Sequence, residues 1–77
     1  MATAIEFPVD LTPRAKRILA SAADEAEYAG AEGYIGVEHI FLAILREGES
    51  LPAQVVTRLG FTNPIVDELE RTLRSIE

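Results

Sequence analysis

Gly36, Val37, Glu38 and His39, which include the chain's only histidine, are the one place where this sequence gathers groups able to hold a ligand. A glycine directly before an apolar run opens a helix, and the first amides of a helix have no acceptor within it, so they favour an anion. A carboxylate at Glu38 stands ready beside them for a cation. Together the two features suit a ligand that carries both charges. The same residues have a plainer reading, in which Glu38 complements its own helix dipole for about 0.3 to 1 kcal/mol and His39 packs its ring against the preceding helix.

Other chemistry is excluded more easily. The chain has no cysteine, and Glu38-His39 is not a zinc motif, because the H-E-x-x-H pattern needs a second histidine and the sequence runs on as Ile40, Phe41 and Leu42. No stretch has the G-x-x-x-x-G-K-[ST] spacing of a phosphate loop. The expectation is a protein that is not an enzyme and uses no metal or cofactor. Its 13 acids against 7 bases leave a formal charge of −6, and an acidic surface repels nucleic acid. The longest apolar run, Ile40 to Leu45, is far short of the roughly 20 residues that cross a bilayer, so no membrane partner is expected. The first residues, MATAIEFPVD, lack a basic start and a long apolar run, which places the chain in the cytoplasm.

These residues need helices to position them. Residues 1–10 alternate at Ile5, Phe7 and Val9 with Pro8 among them, which reads as an extended arm outside the folded unit. Thr12 then caps a helix with Pro13 at its first position, and Ile18, Leu19, Ala22, Ala23, Ala26 and Ala29 recur at helical spacing up to Gly30. The loop GAEGYIG follows, with Tyr34 and Ile35 expected to point inward. Val37 to Arg46 is apolar all round, the mark of a surrounded central helix ended by Gly48. Ser50 and Pro52 open a short third helix closed by Gly60. Thr62 or Asn63 starts a fourth, whose stripe is Ile65, Val66, Leu69, Leu73 and Ile76. The class is all-α. A chain of 77 residues without disulfide or metal has a small core, roughly 3 to 5 kcal/mol, and self-association is the remaining means of support.

The strings TPRAKRILASAADEA, GYIGVEHIFLAILREGES and VVTRLGF resemble one repeat of the Clp N-terminal domain, the substrate-receiving module of the Clp AAA+ unfoldases. The resemblance runs from Leu11 to Leu73 and implies a compact repeat of four to five helices over residues 11–77. It departs from the family pattern in three ways. One repeat is present where the family pairs two; Val37 stands where threonine is usual; and the loop GAEGYIG is a residue longer and lacks a histidine. By resemblance the chain is a binding module, an adaptor, client-binding accessory or competitor of a Clp unfoldase or protease. The other function considered is a structural or regulatory homodimer with a vacant site. Partners implied are a second copy, Clp subunits, client proteins and arginine-phosphorylated proteins, with the guanidinium on Glu38. The family's other contacts cluster at the start of the first helix, here Leu11, Thr12, Arg14 and Lys16.

Overall fold

The computed structural model describes residues 8–31 and 33–76, which form four helices and, among the described residues, no strand. They are α1 (Pro13–Tyr28), α2 (Val37–Glu47), α3 (Leu51–Arg58) and α4 (Thr62–Ile76). Each boundary has a local cause. Thr12 Oγ1 accepts the Ala15 amide at 3.1 Å with Pro13 behind it, and Ser50 Oγ does the same for Ala53 at 3.4 Å. At the end of α1 the amides of Gly30 and Ala31 reach back to the carbonyls of Glu27 and Ala26, with Gly30 at φ +84°. At the end of α3 Gly60 and Phe61 repeat this pattern on Thr57 and Val56. Both are six-to-one closures that need a left-handed residue, which glycine supplies without steric cost.

α2 is the centre: α1, α3 and α4 all pack on it, α3 also touches α4, and α1 and α4 do not meet among the described residues. The α1 contact is close because the facing side chains are small. Ile18 and Ala22 of α1 pack with Ala43 of α2, and Ile40 and Ile44 close around them. Ion pairs tie the ends. Arg14 pairs with Glu47 at 3.2 Å, and Arg46 bridges Glu25 of α1 and Glu70 of α4 at 2.5 Å each.

The backbone spans 37 × 29 × 15 Å, so its thinnest dimension holds about two layers of helix. A slab this thin cannot hide every apolar residue, and several expectations from the sequence change for that reason. Tyr34 and Ile35 are 55% and 44% exposed instead of tucked in, since the fully buried His39 and the buried Ala31 already fill the interior at this loop. α2 is covered on three sides only, which leaves Val37 and Phe41, one turn apart, at its open edge. On α4 Leu73 is buried, Ile65, Val66 and Leu69 are half-buried, and Ile76 projects into solvent at the far end of the helix. Of the expected arm, residues 1–7 lie outside the described residues; Pro8, Val9 and Asp10 are exposed and form no regular element.

Candidate functional site

The start of α2 is built by an exchange of short-range contacts. Gly36 is extended, at φ −93° and ψ 169°, and His39 Nδ1 accepts the Gly36 amide at 2.8 Å. This is half of a capping box, with the third helical residue reaching back to the cap; glycine has no side chain to return the bond. Because Nδ1 accepts, the ring hydrogen is on Nε2, which is buried and has no partner among the described residues. The Tyr34 ring stands 6.1 Å from the imidazole at a tilt of 56° and shields it on the loop side. His39 thus acts as a buried cap. Its ring is not offered to a ligand.

The Gly36 carbonyl accepts the amides of His39 and Ile40, at 3.1 and 3.2 Å, which leaves the amides of Val37 and Glu38 as the free donors of this helix start. Glu38 is half-buried in the first turn, and its carboxylate folds back over Gly36: a methyl group at Gly36 would stand 2.6 Å from both carboxylate oxygens. The backbone angles at Gly36 suit any residue, and a Cβ there would displace only the movable end of the Glu38 side chain. The free amides of Val37 and Glu38 and the Glu38 carboxylate lie within one turn of the chain. Val37 is 81% exposed beside them and adds apolar surface without a hydroxyl.

The second group of candidates is elsewhere. Arg14 pairs with Glu47, the last residue of α2, and donates to the Glu49 carbonyl just beyond it at 3.2 Å, while Glu38 lies in the first turn. Nine residues at 1.5 Å each separate Glu38 from Glu47, about 14 Å along the helix. Leu11, Thr12, Arg14 and Lys16 thus sit at the opposite end of α2 from Gly36 to His39 and do not form one site with them. Thr12 is occupied as a helix cap and Arg14 as a clasp; Lys16 is exposed.

Arg46 and Glu47 belong to no functional motif of the sequence, yet both tie α2 to other elements. One Glu47 oxygen accepts the amides of Glu49 and Ser50, both at 2.9 Å, and the other faces Arg14. The amide of Glu49 first, then that of Ser50 and the charges of Arg14 and Arg17, hold the Glu47 carboxyl below its ordinary value against the opposing effect of burial. The available signal was an acid directly before a helix-ending glycine and a capping serine. Apart from these, a groove of about 400 Å³ runs between α1 and α4 over Leu42 and Leu73, rimmed by Glu25, Tyr28, Glu70 and Arg74. No cluster of metal-ligating side chains occurs among the described residues, and no helix is long and apolar enough to cross a membrane.

This four-helix unit, with Gly-x-Glu-His opening its central helix, is matched by the family model of the Clp repeat (R) N-terminal domain over residues 10–77. The chain belongs to the Clp N-terminal repeat family. Among curated Clp relatives, it is 49% identical over 57 residues to the chloroplastic chaperone protein ClpC of Pisum sativum and equally so to a chloroplastic ClpA homolog of Brassica napus, described as the ATP-binding subunit of an ATP-dependent Clp protease. Each match covers 74% of this chain and 6% of the relative. The negative regulator of genetic competence ClpC/MecB of Bacillus subtilis is 44% identical over 52 residues, 68% of this chain and again 6% of the relative. The Clp repeat here therefore spans a small fraction of the length of the curated proteins it resembles. No solved structure matches it.

Proposed function

We propose that this chain is a non-catalytic interaction module of the Clp type, working in the cytoplasm as an adaptor, client-binding accessory or competitor for a Clp unfoldase or protease. The observation that supports it best is the conjunction of family membership with the start of α2, where the free amides of Val37 and Glu38 adjoin the Glu38 carboxylate. An arginine-phosphorylated client suits that arrangement. Its phosphate takes the amides and the helix dipole, and its guanidinium takes Glu38, a charge-assisted contact of roughly 1.5 to 3 kcal/mol. Calorimetry with phosphoarginine and with an arginine-phosphorylated protein is the test. Glu38→Ala is expected to weaken binding about ten- to a hundredfold, and Val37→Thr to strengthen it by restoring the family's hydroxyl. Absence of heat with the native chain and with Val37→Thr would refute the ligand.

A second reading, a structural or regulatory homodimer with a vacant site, is favoured by the carboxylate of Glu38 folding back against its own chain at Gly36. Self-association fits either function, since the chain has the thin core of a small domain and leaves several large apolar side chains in solvent. Pull-down from a lysate separates the two: Clp subunits or clients are captured in the first, neither in the second.

A further inference from the structure

The larger apolar side chains of α3 face away from the molecule. Inward, α3 meets α2 and α4 with Ala53, which is buried, and Val56, which is half-buried. Outward, Leu51, Val55 and Leu59 recur at every fourth position and form one stripe, 77%, 48% and 62% exposed, and Phe61 in the following turn is 54% exposed. A helix that served only to cover α2 would be more stable turned over, because the bulkier groups gain more from leaving water. The four side chains expose on the order of 500 Å², a large patch for a monomer. It is more than half of the roughly 800 Å² that one partner contributes to a standard interface.

The charge pattern indicates what covers this patch. From Ser50 to Val66 the chain carries a single charged residue, Arg58, although 26% of all its residues are charged, and all 13 acids lie outside that stretch. Depletion of charge is the compositional mark of an interface core. Two copies of a chain with net charge −6 repel wherever acidic faces meet, so the α3 face is where they can approach each other. A basic partner would be drawn to the acidic faces instead.

We propose that two copies of this chain pack their α3 faces antiparallel across a twofold axis passing near Val55. This rests on the self-association reading above and adds the surface and its register. Leu51 and Leu59 are each four residues from Val55, so an antiparallel contact sets Leu51 of one copy against the partner's Leu59, and the reverse, as a twofold contact requires. Arg58, which has no ion pair among the described residues, then comes beside the partner's Glu49 at the start of the opposing helix.

Sedimentation equilibrium over roughly 5 to 200 µM tests the association. The native chain is expected at twice its 8.4 kDa. The double variant Leu51→Asp/Leu59→Asp is expected to weaken association about a hundredfold, with unchanged helical circular dichroism because both side chains are already in solvent. Val55→Cys is expected to give a disulfide-linked dimer on mild oxidation, the chain having no other cysteine. A native chain that sediments only as 8.4 kDa overturns self-association itself. A native dimer that persists in the double variant overturns the α3 face while leaving self-association standing, and a dimer that does not link through Val55→Cys overturns the antiparallel register.

Discussion

Arg46 is the point at which the three longer helices are held to one another, and Arg46→Gln tests how much of the fold depends on it. Its side chain is 42% exposed, while those of Glu25 and Glu70, whose carboxylates it binds at 2.5 Å, are 16% and 34% exposed. Burial works against the Arg46 charge, but the bond to Glu70 and the charge and bond of Glu25 outweigh it and raise its pKa above the ordinary arginine value. With solvent screening, each pair contributes about 0.5 to 1 kcal/mol. Removing the arginine also leaves two carboxylates that shared one guanidinium, about 7 Å or less apart, with a repulsion of roughly 0.6 kcal/mol even at the dielectric constant of water. The total, about 1.5 to 2.5 kcal/mol, corresponds to a drop in melting temperature of roughly 6 to 20 °C for a domain of this size. The assay is thermal unfolding followed by circular dichroism in about 10 mM and about 1 M salt, where the Debye length falls from roughly 30 to 3 Å. The deficit is expected to shrink in high salt, and Glu70→Gln is expected to return part of it in the Arg46→Gln background. A melt within about 2 °C of the native chain at low salt, or a deficit that salt does not change, would show that apolar contacts alone set the spacing of α1 and α4.

Glu47→Gln is expected to lower the urea midpoint at neutral pH, and by less as the solution is acidified. The folded Glu47 carboxyl lies below its unfolded value, so its contribution is complete above the ordinary carboxylate pKa of about 4.3 and disappears as pH falls through the folded value; equal deficits at neutral and strongly acidic pH would refute this. Ala22 is fully buried where α1 meets α2, so Ala22→Leu is expected to cost about 1 to 3 kcal/mol through overpacking. Ala23→Leu, one position round the helix on the exposed side, is expected to stay within about 0.5 kcal/mol. Urea titration of both variants checks the close α1–α2 approach, and equal losses would count against it.

What the sequence determined by itself is the part of the fold whose causes are local. Thr12-Pro13, Ser50 with Pro52, and the glycines at 30, 48 and 60 act over four or five residues of chain, and the helix boundaries they imply are those observed. The closeness of the Glu38 carboxylate to Gly36 is local as well, since both residues lie within a single turn. Tertiary structure decided which apolar residues face inward. Ala53 is buried while Leu51, Val55 and Leu59 are exposed, although periodicity alone is satisfied by either face of α3, because only the placement of α2 and α4 breaks that tie. The same holds for the ion pairs of Arg46, whose partners are 21 and 24 positions away. It also holds for the separation of Leu11 through Lys16 from the Glu38 site, which follows from the end of α2 to which Arg14 is bound. Charge and hydropathy patterns constrain what each helix can do on its own, but the distance between side chains on different helices is set only when those helices pack.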